Sequence, residues 1–264
     1  MGIAEKIKGR GRPEIVICGG GHVGYELARL CVFMDWKTVV VDTRPEYALR
    51  DRFPGCMVIC GGYAEALAGL ENDDICIVIA TPDHEYDHEC LKAALCRKNA
   101  YVGMMGSRNK AAAAIGHMRA LGFPEDVLEK VHTPIGVPIA SETPKEIAVS
   151  ITAEIIKTLA GKRAEYIISG EDEKKLLSEH GKAVCARITE KRGSAPRDRG
   201  ACLFVCESGS VIGTVGGGRW EADIIEDAKR VLCGAELSKK TYTSHTEDAM
   251  CGGEIDVVFE VDEL

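Results

Sequence analysis

The residues of this sequence best suited to chemistry begin at Gly19. Gly19-Gly20-Gly21-His22-Val23-Gly24 matches G-x-G-x-x-G, between an apolar run, Ile15 to Cys18, and an apolar-periodic segment, Val23 to Met34. In that setting Gly19 permits a tight strand-to-helix turn, Gly21 lets a pyrophosphate approach the backbone, and Gly24 lets helix and strand pack closely. Phosphate would sit on the helix N-terminus, where unpaired N–H groups and the dipole favour negative charge. The His22 ring would lie beside that ligand. Asp42, 21 residues beyond Gly21 at the end of the next apolar run, is placed to accept from a ribose. It predicts that NAD-like forms bind better than NADP, although Arg44, two residues on, could pair with a 2′-phosphate. A Rossmann unit with an empty or repurposed crevice is the alternative.

Other residues carry weaker signals. Thr81-Pro82-Asp83-His84 ends a fourth apolar run at the rim where α/β sheets bind ligands. His84 and His88 are four apart on a predicted helix, a metal-ligand spacing, but no third ligand lies near them in sequence and no metal is expected. Gly216-Gly217-Gly218 precedes another helix, with Arg192, Arg197 and Arg199 in the same half of the chain. Backbone amides and guanidinium groups there would suit phosphate or another oxyanion. A tight turn beside a solvated basic loop would read the same way. Cys251, in Cys251-Gly252-Gly253, is flanked by glycine rather than apolar core and is the candidate reactive thiol. An inert turn cysteine is the plain alternative.

The elements that must position these residues follow from periodicity. Strands are expected at Ile15 to Cys18, Thr38 to Val41, Cys56 to Cys60, Ile75 to Ala80 and Ala100 to Met104, alternating with helical segments. That alternation predicts an α/β, Rossmann-like doubly wound parallel sheet. Ser107 is a candidate N-cap, and Thr143-Pro144-Lys145-Glu146 reads as a capping box with Pro at N1. A domain boundary near 165 leaves a Rossmann-like domain at 1–165 and a smaller α+β domain at 166–264. In the second, strands are expected at Ala183 to Thr189, Ala201 to Cys206, Val211 to Val215 and Ile255 to Val261, with a helix from Trp220 to Leu232.

Composition narrows the classes. Of 264 residues 45% are hydrophobic and 28% charged, the profile of a globular protein with ample core. A net charge of −8 argues against nucleic acid or anionic membrane as partner. The start carries no signal-peptide pattern and no run approaches a membrane span, so a cytoplasmic protein is expected. Eight of the 12 cysteines, Cys18, Cys31, Cys56, Cys60, Cys76, Cys90, Cys96 and Cys185, fall in apolar-periodic segments and are expected to behave as small reduced hydrophobes. No CxxC occurs.

Taken together, CGGGHVGYELARL, VVDTRPEYA, TPDHEYDHECLKAAL, YVGMMGSRNK, HTPIGVPIASETPKEIAVSITAEI, ITEKRGSAPRDRGACL, IGTVGGGRWEADI and CGGEIDVVFE resemble the XdhC/CoxI family, accessory proteins of xanthine dehydrogenase and related molybdenum hydroxylases. The resemblance implies a cytoplasmic, cofactor-binding maturation factor rather than a metabolic enzyme. Such a factor binds the molybdopterin form of the molybdenum cofactor, assists its sulfuration or insertion, and works with a hydroxylase client and a cysteine desulfurase, as a homodimer. Carried over by position, the first-domain site would use Gly19, Gly21, His22, Gly24, Asp42, Thr81, Gly106, Ser107 and Arg108. The second would use Ser194, Arg197, Gly216, Gly217, Gly218, Glu221, Cys251, Gly252 and Gly253, with Cys251 the catalytic candidate, in a crevice between the domains. The family usually places the GSAP domain first, whereas here the order is reversed. Many members carry a cysteine where this chain has Arg219, which leaves Cys251 as the motif cysteine. From the residues alone, an NAD-dependent oxidoreductase and a nucleotide-sensing regulatory module remain the alternatives.

Overall fold

Glu14–Cys18 is buried at every position and forms strand β1. Its side chains alternate between two faces: Val16 and Cys18 join one apolar cluster, Ile15 and Ile17 another. A strand covered on both sides reads as an unbroken apolar run, and it must be sandwiched between helix layers. The computed structural model describes residues 13–160, 168–195, 197–243 and 253–264. It divides the chain into two compact units, Arg12–Lys162 and one containing Arg163–Leu264.

In the first unit β1 is followed by α1 (His22–Phe33), β2 (Lys37–Asp42), a 3-10 turn (Arg50–Arg52), β3 (Met57–Cys60) and α2 (Tyr63–Ala68). Then come β4 (Ile75–Ile79), α3 (His84–Leu95), β5 (Tyr101–Met104), α4 (Arg108–Ala120), α5 (Glu125–Leu128), β6 (Val131–His132) and α6 (Pro144–Leu159). The six strands are parallel in the order β3-β2-β1-β4-β5-β6. This is the doubly wound order, whose chain reverses direction between β1 and β4. Leu27, Ala28 and Cys31 of α1 and Ala148, Ile151 and Ile155 of α6 cover one face. Leu67 of α2, Cys90, Leu91 and Ala94 of α3, and Ala114 and Met118 of α4 cover the other. Thr143 caps α6 through a complete capping box with Glu146, and the Ser107 hydroxyl accepts from the Lys110 N–H at the start of α4. The sixth strand went unread in the sequence because two residues are too few to show a period.

Among the described residues the second unit is a five-stranded antiparallel sheet, β10-β11-β7-β8-β9, with two helices. Its elements are α7 (Gly170–Ser178), β7 (Lys182–Gly193), β8 (Cys202–Cys206), β9 (Val211–Gly213), α8 (Gly218–Leu232), β10 (Lys239–Thr243) and β11 (Gly253–Glu263). Ile224, Ala228 and Val231 of α8 pack on one face, and Leu176 of α7 on the other. β7 runs four residues past the expected Thr189. Its charged end pairs with β11, where Arg192 meets Glu254 and Asp256. Partners across a ladder turn a loop-like charged run into strand. The expected strand to Val215 ends at Gly213, whose φ of +86° breaks the extended run. Two cysteine expectations are also corrected. Cys60 on edge strand β3 and Cys96 at the end of α3 are exposed, not buried. Among the described residues no helix is long and apolar enough to cross a membrane.

Candidate functional site

Three glycines of the first loop do separate jobs. A Cβ at Gly19, whose φ is +119°, would strike the Ala80 carbonyl oxygen at the end of β4. One at Gly24 would strike the Gly19 carbonyl oxygen, so helix and strand touch there through bare backbone. Gly21, the N-cap of α1, has nothing within 4 Å of its Cβ position. The cap carries no side-chain hydrogen bond and the first turn holds no acid, so no side chain of that turn satisfies its N–H groups. His22, exposed, is the first helical residue beside it. The loop leaves the sheet at the reversal between β1 and β4, beside Thr81. The Thr81 hydroxyl bonds the Asp83 carbonyl at 3.0 Å and Asp87 at 2.5 Å. β5 is the next strand, and the Met105 N–H donates to Ile79 at 2.9 Å, which brings Gly106, Ser107 and Arg108 to the same edge. The structure thus gathers every first-domain candidate at the C-terminal edge of the sheet.

It corrects the role of Asp42. That carboxylate is wholly buried and accepts four hydrogen bonds: Gly20 N–H at 2.8 Å, Arg44 N–H at 3.0 Å, and a fork from Arg44 Nε at 2.9 Å and Nη2 at 2.8 Å. An ionised carboxylate has about four acceptor positions, so it is saturated with no room for a ribose. Burial opposes its charge, but these donors outweigh burial and hold the carboxyl below its usual range. Asp42 ties the glycine loop to β2. The Arg44 plane lies 3.7 Å from the Tyr47 ring centroid, and the Tyr47 carbonyl backs onto Gly20.

The second unit also departs from expectation. Glu221 Oε2 accepts from the N–H groups of Val215 at 2.9 Å, Gly216 at 3.2 Å and Gly217 at 3.0 Å, and from the Thr214 hydroxyl at 2.5 Å. Burial acts against the charge on Glu221, yet these donors hold its carboxyl below the usual range. The amide cradle at Gly216 and Gly217 is therefore filled by the protein's own anion. Arg192 is committed to Glu190, Glu254 and Asp256. Arg197 and Arg199 remain exposed. The motifs nonetheless converge. Antiparallel pairing sets the end of β7, the start of β8, the end of β9 and the start of β11 at one end of the sheet. Gly193 pairs with Gly253, and a Cβ on Gly253 would strike the Ser194 carbonyl. Gly216 to Gly218 follow β9 at this end. Cys251 and Gly252 lie outside the described residues.

Two features of the first unit escaped the sequence. Tyr101 donates to Glu154 at 2.6 Å, Gly136 N–H to the same oxygen at 2.9 Å, and His132 Nδ1 lies 3.4 Å from the other. Tyr101 and His132 stack at 4.6 Å. The knot pins the strap after β6 to α6, and only the fold brings its members together. Tyr63 is fully buried beside Asp42, and its hydroxyl makes no hydrogen bond of normal geometry among the described residues. Burial and the Asp42 charge push that phenol up, although the neighbouring Thr43 tempers the rise. His88 stacks on His117 at 4.8 Å. Among the described residues no cluster of three or more metal-ligating side chains forms.

The decisive comparison is with families. Residues 15–155, more than half of the chain, match the XdhC Rossmann domain, and residues 176–242 match the XdhC and CoxI family. The chain belongs to the XdhC/CoxI family. The uncharacterized protein YqeB of Escherichia coli K12 is 30% identical over 149 residues, which are 55% of this chain and 27% of that protein. A Bacillus subtilis 168 protein described as a probable subunit of xanthine dehydrogenase is 26% identical over 151 residues, 56% of this chain and 43% of that one. A crystal structure of a xanthine dehydrogenase from Bacillus halodurans superposes with a TM-score of 0.51 at 26% identity, covering 58% of this chain and 44% of that one. The matched region thus spans less than half the length of each of these relatives.

Proposed function

We propose that this XdhC/CoxI chain is an accessory factor for a molybdenum hydroxylase of the xanthine dehydrogenase class. It binds the phosphate of an anionic cofactor at the N-terminus of α1 and assists the cofactor's sulfuration or insertion. The observation that carries the reading is the open glycine loop. Gly21 faces free space, the α1 N–H groups lack a side-chain cap, and no acid occupies the first turn. Such a helix end favours phosphate on hydrogen-bonding and dipole grounds. Molybdopterin supplies a phosphate together with the dithiolene that holds molybdenum. Relatives named for xanthine dehydrogenase supply the client class. A cysteine desulfurase as sulfur donor, Cys251 as sulfur carrier and a homodimeric assembly complete the proposal.

The test is copurification. Protein from a molybdenum-replete host is oxidised, and the extract is examined for pterin fluorescence and for nucleotide. Pterin in near-stoichiometric amount, lost from a Gly21→Glu variant that fills the loop with negative charge, is the expected outcome. Pterin absent from wild-type protein, with hydroxylase activation unchanged in a host lacking the chain, removes the reading.

A further inference from the structure

The fold offers a ribose acceptor at the end of its second strand, and this chain has shut it. Asp42 is wholly buried and its four acceptor positions are taken by Gly20 and Arg44. Two guanidinium groups, Arg44 and Arg52, lie beside it, with Glu46 and Asp51 exposed in the same segment. The Arg44 side chain is 31% exposed and uses Nε and Nη2 on Asp42, leaving Nη1 without a partner among the described residues. Arg52 lies 5.2 Å from the same Tyr47 ring, 5.6 Å from Tyr25 and 5.2 Å from Phe53, and its one hydrogen bond among the described residues runs from Nη1 to the Tyr47 carbonyl at 3.2 Å. The Tyr47 backbone packs against Gly20, so both guanidinium groups flank the glycine loop on its β2 side.

We propose that the end of β2 is a phosphate-monoester subsite, in which Asp42 is an internal strut that orients Arg44 and Arg44 with Arg52 binds the phosphate. A fork held on a buried carboxylate has lost most of its rotamer freedom, so its remaining N–H groups are pre-organised for a second anion. A ribose diol needs an acceptor and finds donors instead. The proposal rests on the reading that a phosphate-bearing ligand lies along the glycine loop, and it names that ligand's second anchor. Two sources carry the chemistry: a ribose 2′-phosphate, as in NADP, and the terminal phosphate of a pterin side chain.

Two measurements separate them. Calorimetric titration of the full chain with NADP and with NAD is expected to show at least tenfold tighter binding of NADP. The preference should vanish in Arg44→Ala. Arg52→Ala, which gives up one carbonyl bond and its contacts with the Tyr25, Tyr47 and Phe53 rings, should weaken NADP at least threefold and leave NAD unchanged, with circular dichroism and thermal unfolding checking that the variant is folded. The second arm measures oxidised pterin in protein purified as wild type and as either variant. A loss of half or more in both variants, with no dinucleotide preference, assigns the subsite to the pterin phosphate. If NAD binds as well as NADP or better, or neither binds, and pterin content is the same in all three proteins, the proposal is overturned. Pterin absent from wild type counts against the accessory role and leaves the NADP arm standing, so the two failures are distinguishable.

Discussion

Tyr63 and Asp42 show how much single residues depend on partners that the sequence does not print. Asp42 stands where a ribose acceptor is expected, and its position at the end of β2 was legible. Its commitment was not, because that depends on Arg44 curling back two residues and on the Gly20 N–H pointing inward. Glu221 repeats the lesson. Three glycines before a helix suggest an open amide cradle, but a carboxylate one turn into α8 reaches back and fills it. The Tyr63 hydroxyl has the opposite fate: the Asp42 carboxylate beside it is saturated, and Thr43 lies near without a hydrogen bond of normal geometry among the described residues. A buried polar group without a partner costs about 1–3 kcal/mol. Tyr63→Phe removes that group and keeps the ring, so it should leave stability unchanged or raise it by about 1 kcal/mol. Denaturant unfolding checks this. A loss of more than about 1 kcal/mol would mean that the hydroxyl has an acceptor.

At the scale of elements the reading succeeded wherever a period was long enough to see. The five strands from β1 to β5 are buried or half-buried runs with helices between them, and the α6 capping box is written in Thr143-Pro144-Lys145-Glu146. It failed at β6, two residues long, and at the end of β7, where charge masks a strand until its partner is known. The glycine loop allows a test of division of labour within one turn. A methyl group at Gly24 would press α1 away from the Gly19 carbonyl. Gly24→Ala should therefore cost about 1–3 kcal/mol, the usual penalty for overpacking. Gly21 has a φ of −66°, which any residue adopts, and open space ahead of it. Gly21→Ala should cost about 1 kcal/mol or less, as at other N-cap positions. Thermal unfolding of the pair ranks them. Equal losses would place ligand-side and packing-side glycines on the same footing and contradict the assignment.

For the whole molecule the cysteines give the broadest readout, because they sample both units and every layer. Thiolate is the reactive form, and burial without cations disfavours it. Cys18, Cys31, Cys76, Cys90, Cys185, Cys202 and Cys206 are buried. Burial pushes Cys31 up to about 12, the Thr38 hydroxyl opposing it only in part, and pushes Cys206 up to about 11. In Cys90 the hydrogen bond with Cys18 raises the thiol further, with burial adding to it. A group whose folded pKa is raised stays protonated as pH climbs, so these thiols remain unreactive through neutral and mildly alkaline solution. Cys60, Cys96 and Cys233 are exposed to solvent. Brief alkylation of the native protein near neutral pH, read by peptide mass spectrometry, should modify these three first among the described cysteines. The seven buried ones should react only after denaturant is added. They lie in strands or helices of both units, so their protection should collapse in each unit with that unit's unfolding. Labelling of Cys76 or Cys185 at the rate of Cys233 in native protein would show that strands β4 and β7 are not the closed cores described above.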